Sequence, residues 1–290
     1  MMIMNATNSR VLALHINWTK PFRVRNCNSD YSVDDFELLT TILSSLLWKR
    51  YNGSIKLYTD SVGYEFYDKM GLLNIWDDID INTLDSIPTS IDPEIFWAAA
   101  KIFAIKNENG PVVMMDTDLL VWKTLDELKR NKLVAFHRES LDIDCYIPYE
   151  CLKKRKDYQI DSQFDWSVMP CNTALTYFND DYFKKIYTEA AIDFMTDNKE
   201  KPMEMVSQMV FAEQRLFSMC AKKLGIEINT FLPYEYNGEC DDFTHLWGAK
   251  SIARSDNTFH NQLCTSLVNA IHREFEEYII PEQVMLLLRH

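Results

Sequence analysis

Apolar and polar positions alternate between strand-like and helix-like periods through the first half of the chain. Val11-Leu-Ala-Leu-His-Ile16 is an apolar run of strand length, which predicts a strand buried on both faces. Helical spacing comes after Ser32, where Leu39, Ile42, Leu43, Leu46 and Leu47 share one face and Asp35 completes an imperfect capping box. Asn52-Gly53 ends that helix, and Ile55-Lys-Leu-Tyr-Thr59 predicts a second strand. A short helix is expected after Gly63, and Asn74-Ile75-Trp76 reads as strand. Asp92-Pro93 predicts the next helix start, with Asp as N-cap, Pro at the first helical position, and Phe96, Ala99, Ala100 and Phe103 as the apolar stripe. Gly110-Pro111 then breaks the chain. Val112-Val-Met-Met115 and Leu133-Val-Ala-Phe136 predict buried strands, with a helical turn at Leu125-Asp-Glu-Leu128 between them.

The second half opens with a polar stretch, Leu141 to Met169, that includes Lys153-Lys-Arg-Lys156. It is either an excursion flanking a functional site or a solvated surface insertion. Leu175-Thr-Tyr-Phe178 returns as strand, and Asp180 or Asp181 caps a helix with Phe183, Ile186, Tyr187, Ala190 and Phe194 inward. A further helix runs from about Met203 to Leu224 and stops at Gly225, and the chain beyond residue 255 is mostly helical. Alternating strands and helices predict an α/β fold: a mostly parallel sheet with helices on both faces. One domain is expected over 1–255, with 141–170 as its excursion and 256–290 as a helical extension.

Ligands of such sheets gather at the carboxyl ends of the strands. That is where Asp116-Thr117-Asp118 lies, closing the apolar run 111–115 and preceding Leu119-Leu-Val-Trp122. Carboxylates are rarely buried without a partner. Hard oxygen ligands so placed suit Mg²⁺ or Mn²⁺, ions that keep open positions for substrate phosphates.

Composition narrows the classes. The formal charge of -13 and a pI of about 4.9 oppose nucleic-acid binding, and a nucleotide ligand would need a metal to offset the repulsion. Seven scattered cysteines without a Cys-x-x-Cys pair point to reduced thiols in a cytoplasmic protein. No run is long enough for a signal peptide core or a membrane span. Leu286-Leu-Leu288 with Arg289-His290 is either a peripheral membrane contact or a packed helical end.

Further candidates each carry a plain alternative. Glu213 shares a helical face with Val210 and Phe217, and Gln214 borders it; a carboxylate in an apolar stripe is functional or paired with a buried cation. His245 is a third metal ligand or a structural histidine. Gly248 allows close backbone approach, and Lys250 can neutralise a phosphate. Asn172 offers an amide to a hydroxyl-rich ligand or is an ordinary turn residue. Lys101 reaches a phosphate or sugar, or is simply exposed. His15, Asn17 and Trp18 end the first strand, where a nucleotide base would sit; Trp18 stacks on the base or packs in the core.

Taken in order, these segments resemble the nucleotide-sugar glycosyltransferases of the GT-A fold. They are nearest in flavour to the retaining family that includes glycogenin and the bacterial galactosyl- and glucosyltransferases of lipopolysaccharide synthesis, and similar also to bacterial capsular and polysaccharide relatives. The carriers are Met114-Met-Asp-Thr-Asp-Leu-Leu-Val-Trp-Lys-Thr-Leu-Asp-Glu-Leu128, Asn172-Thr-Ala174, Glu213-Gln214 and His245-Leu-Trp-Gly-Ala-Lys-Ser251, within residues 10–255. Ala174 departs from the family glycine and Glu213 from its Asp; Lys250 comes one residue early, and a Pro-Trp is missing.

The resemblance implies a GT-A (Rossmann-like) fold and transfer of a sugar from a nucleoside-diphosphate sugar, with UDP favoured, to a saccharide or lipid-linked acceptor. Asp118 and His245 would hold Mn²⁺ or Mg²⁺, and Asp116 the metal, the ribose or both. In a retaining enzyme Gln214 stabilises the anomeric face; in an inverting one Glu213 is the general base. Rival expectations are a silent sugar-nucleotide scaffold and a metal-dependent phosphatase with Asp116 as nucleophile. The expected location is the cytoplasm, including the inner face of the membrane where lipid-linked acceptors reside.

Overall fold

Apolar runs become strands, and their two-residue alternation feeds two separate cores. The computed structural model describes residues 10–201, 206–234 and 240–288. The central sheet contains β1 (Leu12–Asn17), β2 (Ile55–Thr59), β3 (Asp78–Asp80) and β4 (Val112–Met115). The chain continues through β5 (Leu119–Val121), β6 (Leu133–Ala135), β7 (His137–Arg138), β8 (Cys171–Asn172), β9 (Leu175–Phe178), β10 (Ile228–Thr230) and β11 (Phe243–His245). Seven strands are ordered β10-β6-β9-β4-β1-β2-β3, while β5 pairs with β11 and β7 with β8 in two-stranded ribbons. Within the large sheet β9 runs antiparallel to β4 and β6, and the other pairings are parallel. The fold class is the expected one.

Successive side chains of a strand point to opposite faces. Leu14, Met114 and Phe178 therefore enter one core, and Ala13, Val113 and Tyr177 the other. The helices are α1 (Lys20–Arg25), α2 (Asp35–Tyr51), α3 (Ser61–Lys69), α4 (Asn82–Asp85), α5 (Ala99–Asn107) and α6 (Asp181–Met195). After these come α7 (Ser207–Val210), α8 (Leu216–Lys223), α9 (Trp247–Ser255), α10 (Asn257–Glu274) and α11 (Glu282–Leu287). Helices α5, α6 and α8 cover the first core, while α2, α10 and α11 contribute to the second. Helix α2 lies between sheet and α10, so it buries far more than a stripe: Phe36, Leu38 and Trp48 join the expected leucines. Asp180 is the N-cap of α6 and accepts from the Phe183 N–H at 2.9 Å, a contact worth about 1 kcal/mol.

Several boundaries differ from expectation. Helix α2 begins at Asp35 after Asp34, and the Ser32 capping box does not form. Gly63 lies inside α3, where a Cβ would stand 2.1 Å from Thr59 Oγ1. Residues 73–75 are a 3₁₀ turn, and the edge strand comes later, at Asp78–Asp80. Asp92 caps no long helix: its side chain accepts from Glu94 N–H at 2.8 Å in a local turn, and α5 begins at Ala99. Both Ile95 and Phe96 are buried, and a local turn lets adjacent residues enter the core where a helix would splay them. The expected helix ending near Leu224 is divided into α7, a π-helical turn at Phe211–Arg215, and α8, while its expected start at Met203 lies outside the described residues. Gly225 takes φ +64° just past the end of α8.

All seven cysteines are free. Among the described residues no helix is long and apolar enough to cross a membrane. Leu286 and Leu287 are exposed while Val284 is fully buried; Arg289 and His290 lie outside the described residues.

Candidate metal and substrate site

Strand direction brings the chemistry to one edge. β1, β2 and β4 run parallel, so Asn17, Asp60 and Asp116 leave the sheet at their carboxyl ends. β9 is antiparallel to β4, so Asn172 and Thr173 enter it from the same edge. The Asp116 N–H donates to the Ala174 carbonyl at 2.8 Å, and the Leu119 N–H closes a tight turn on the Asp116 carbonyl at 3.1 Å. β11 pairs with β5 in a register that sets His245 opposite Leu119, and the Leu246 N–H donates to the Asp118 carbonyl at 3.1 Å. That ladder is why a histidine far along the chain reaches the Asp-x-Asp turn.

The donor atoms of Asp116, Asp118 and His245 all lie within 4.8 Å of one another. Asp118 is buried, and His245 Nε2 stands 3.6 Å from its Oδ1, too far for a hydrogen bond. Nε2 is itself buried and without a hydrogen-bond partner. A buried nitrogen with no partner is costly. Lys250 Nζ lies 3.0 Å from Asp118 and 3.1 Å from Glu37. Burial raises the Asp118 carboxyl, but His245 and Lys250 outweigh it and hold the group well below the usual carboxylate range.

On the other side Lys101 joins two carboxylates. Its Nζ is 2.7 Å from Asp116 and 2.8 Å from Glu213. Burial opposes its charge, yet the two carboxylates more than offset that and raise the ammonium above its ordinary value. Thr173 Oγ1 donates to the same Glu213 oxygen at 2.8 Å, and the Tyr187 hydroxyl donates to the Glu213 carbonyl at 2.7 Å. Glu213 and Gln214 occupy the π-helical turn, a distortion that recurs at functional sites. The network thus sets four carboxylates (Glu37, Asp116, Asp118, Glu213) against two ammonium groups (Lys101, Lys250), while Arg254 is shared by Glu37 and Asp34. The unmatched negative charge equals that of one divalent cation. With the unpartnered imidazole nitrogen, this donor set fits a divalent cation.

A second hydrogen-bonded cluster adjoins Gln214. The Tyr146 hydroxyl contacts the Gln214 amide oxygen and lies 2.5 Å from Glu139 Oε2. Asn172 donates to Glu139 Oε1 at 2.8 Å and accepts from the Ala174 N–H at 3.0 Å. Arg215 is held by the carbonyls of Trp166 and Val168. The polar excursion is thereby fastened to the turn that carries Glu213 and Gln214. Glu37, Glu139, Tyr146 and Thr173 were absent from the sequence candidates. Only Thr173, beside Asn172, and Tyr146, inside the flagged excursion, carried any local signal.

Two candidates lie elsewhere. His15 is fully buried against Ser44, Ser45 and Trp76, its ring nitrogens 3.3 to 3.4 Å from their polar atoms, so it cannot touch a ligand. Trp18 packs in the first core rather than presenting a face to a base. Asn17 remains at the edge: its Oδ1 accepts from the Tyr31 hydroxyl at 2.7 Å, and its buried Nδ2 has no partner. Lys101 is largely buried and paired with Asp116 and Glu213.

Burial depresses the His15 pKa to about 3, against a weaker opposing pull from Asp118. Between about pH 6.5 and that value the unfolded chain binds a proton that the folded protein refuses. The stability this group contributes is present above about pH 6.5 and drains away as pH falls, at up to about 1.4 kcal/mol per pH unit. Urea denaturation at pH 7 and pH 5 should show the loss, and His15→Asn should flatten it; equal stability at both pH values in the unaltered chain would refute the assignment.

A family model described as a family of unknown function, DUF6734, matches residues 14–280. No curated protein matches the chain. Among solved structures, the chain is similar to the apo-form glycosyltransferase GlyE of Streptococcus pneumoniae TIGR4, at 15% identity and TM-score 0.37 over 70% of this chain and 42% of that one. It is also similar to mouse xyloside xylosyltransferase 1 (10%, TM-score 0.38, 77% and 85%) and to the inositol-1-phosphate CTP transferase of T. maritima (11%, TM-score 0.42, 89% and 96%). The chain spans less than half of GlyE. With TM-scores below 0.5 these likenesses carry no weight for function, and the fold stands on the sheet order and register themselves.

Proposed function

Since the chain belongs to the DUF6734 family, we propose a function from its own residues: metal-dependent transfer of a sugar from a nucleoside-diphosphate sugar to a saccharide or lipid-linked acceptor. The observation that carries this reading is the convergence of Asp116, Asp118 and the unpartnered Nε2 of His245 at the carboxyl edge of a mostly parallel sheet. These three residues would hold Mn²⁺ or Mg²⁺. The ion supplies charge stabilisation at the leaving diphosphate.

Lys250 begins on Asp118 and exchanges that carboxylate for a donor phosphate. Gly248 leaves open space where a Cβ would stand, so the backbone at the start of α9 can approach the phosphates closely. Lys101 and Thr173 both claim the same oxygen of Glu213, which suits a positioning carboxylate better than a general base. The reaction is therefore read as retaining, with the Gln214 amide at the anomeric face. Tyr146, Glu139 and Asn172 offer hydroxyl, carboxylate and amide groups to the acceptor. UDP as the nucleotide rests on the sequence resemblance.

A second reading, sugar-nucleotide binding without turnover, is favoured by one feature: each aspartate of the Asp-x-Asp turn carries a lysine ammonium. A screen of UDP- and GDP-sugars with Mn²⁺, measuring release of the nucleoside diphosphate, separates the two. Release that needs Mn²⁺ is expected. A Mn²⁺-dependent thermal shift with UDP but no release would favour the silent reading. No shift with any nucleoside diphosphate would remove both. Metal-dependent hydrolysis of a simple phosphoester would instead favour a phosphatase.

A further inference from the structure

We propose that Asp35, His260 and Cys264 form a second metal site, for zinc or a similar thiolate-binding divalent ion, that fastens α10 to the first turn of α2. The three donor atoms lie within 4.8 Å of one another. Tetrahedral zinc, with ligand bonds of about 2.0 to 2.3 Å, sets its donors about 3.3 to 3.6 Å apart, so modest side-chain movement closes the site. His260 and Cys264 are four apart on α10, which puts them on one face of that helix. Asp35 is the first residue of α2, the helix against which α10 packs.

The His260 ring is the second observation. Its Nδ1 faces the Ala253 carbonyl at 3.3 Å, and its Nε2 faces the two Asp35 oxygens at 2.9 and 3.0 Å. Both sides of the ring meet acceptors, and a neutral imidazole has one N–H to offer. The ring therefore holds a second proton or shares Nε2 with a metal. A ring nitrogen turned to a backbone carbonyl is the usual outer support of a metal-binding histidine. Phe36 packs edge-on against the same ring at 5.6 Å and fixes its plane. Cys264 is buried while Asp35 and His260 are partly open to solvent, and a three-ligand zinc site of this kind takes a water as its fourth ligand.

Ligand chemistry separates this site from the first. A thiolate selects zinc, whereas Asp116, Asp118 and His245 have no sulfur and suit harder ions. The proposal does not depend on glycosyl transfer. Helix α2 also carries Glu37, two residues after Asp35, the carboxylate that shares Lys250 with Asp118.

Cobalt(II) reports on the site, because a cysteine ligand adds a thiolate-to-cobalt charge-transfer band in the near ultraviolet. Titration of the full chain is expected to saturate that band at one equivalent and zinc to bleach it. The band should persist in Asp118→Ala and disappear in Cys264→Ser and in His260→Gln. Absence of the band in the unaltered chain overturns the proposal and leaves a His260–Asp35 ion pair. So does a band that survives Cys264→Ser, since another cysteine then supplies it. Loss of nucleotide-sugar turnover in Asp118→Ala with the cobalt band intact shows the two sites failing independently.

Discussion

Asp118→Ala is expected to lower turnover of the nucleotide sugar by about 10³-fold or more and to abolish Mn²⁺-dependent nucleotide binding. Asp118 is the innermost of the three proposed ligands: buried, facing the unpartnered His245 nitrogen, and paired with Lys250. In the proposed site, truncation would leave the ion with Asp116 and His245 alone. A tenfold rate change corresponds to about 1.4 kcal/mol, so the expected loss is about 4 kcal/mol of transition-state stabilisation. The fold should survive, because Lys250 keeps Glu37 as a partner. Nucleoside-diphosphate release and a Mn²⁺ titration by paramagnetic resonance provide the readouts. A variant that turns over within tenfold of the unaltered chain and binds Mn²⁺ equally well would displace Asp118 from the metal.

Lys101→Met should destabilise the protein by about 3 to 5 kcal/mol at neutral pH, the scale for removing one partner of a buried ion pair. Lys101 is the shared counter-ion of Asp116 and Glu213, and Glu213 is buried. Without the ammonium, two carboxylates meet across a poorly solvated gap. The sign of the pH dependence is set by the same groups. In the unaltered chain the Lys101 pKa is raised, so its contribution is complete below about pH 10.4 and is lost only at higher pH. Adding Glu213→Gln should restore part of the lost stability, since the amide oxygen can still accept from Thr173. Urea unfolding of the single and double variants checks this; a Lys101→Met chain within about 1 kcal/mol of the original at pH 7 would show that the bridge matters little.

Local pattern made much of the scaffold legible. The segments 55–59, 112–115 and 175–178 form strands at the expected places because their apolar runs bury on both faces whatever their neighbours are. Asp-x-Asp could be located because a strand of that kind must deliver its carboxylates at its exit. Glu213 could be flagged because a carboxylate on an apolar stripe requires a reason. The irregular segment after Asp92 was not legible, since a good capping sequence yielded to the burial of Ile95 and Phe96. The π-helical turn at Phe211–Arg215 has no periodic signature of its own.

The pairings had no signature at all. Lys101 reads as a phosphate or sugar contact or as an exposed lysine, because a long flexible cation shows its partners only once two distant carboxylates are brought around it. His15 reads as a ligand contact, and Trp18 as either a base contact or a core residue, because position on a strand does not reveal depth. His245 was expected at the metal by resemblance, and its closeness to Asp118 is a product of the β5–β11 register. Glu139, Tyr146 and Asn172 meet only because the ends of β7 and β8 pair beside the π-helical turn. By itself the chain determined its alternating strands and helices and the edge at which two carboxylates emerge, since burial periodicity and strand direction are local properties. Which charges neutralise one another, and which donors converge closely enough for a cation, was set by long-range packing, because electrostatic and coordinate bonds depend on distances of a few ångströms that no sequence spacing encodes.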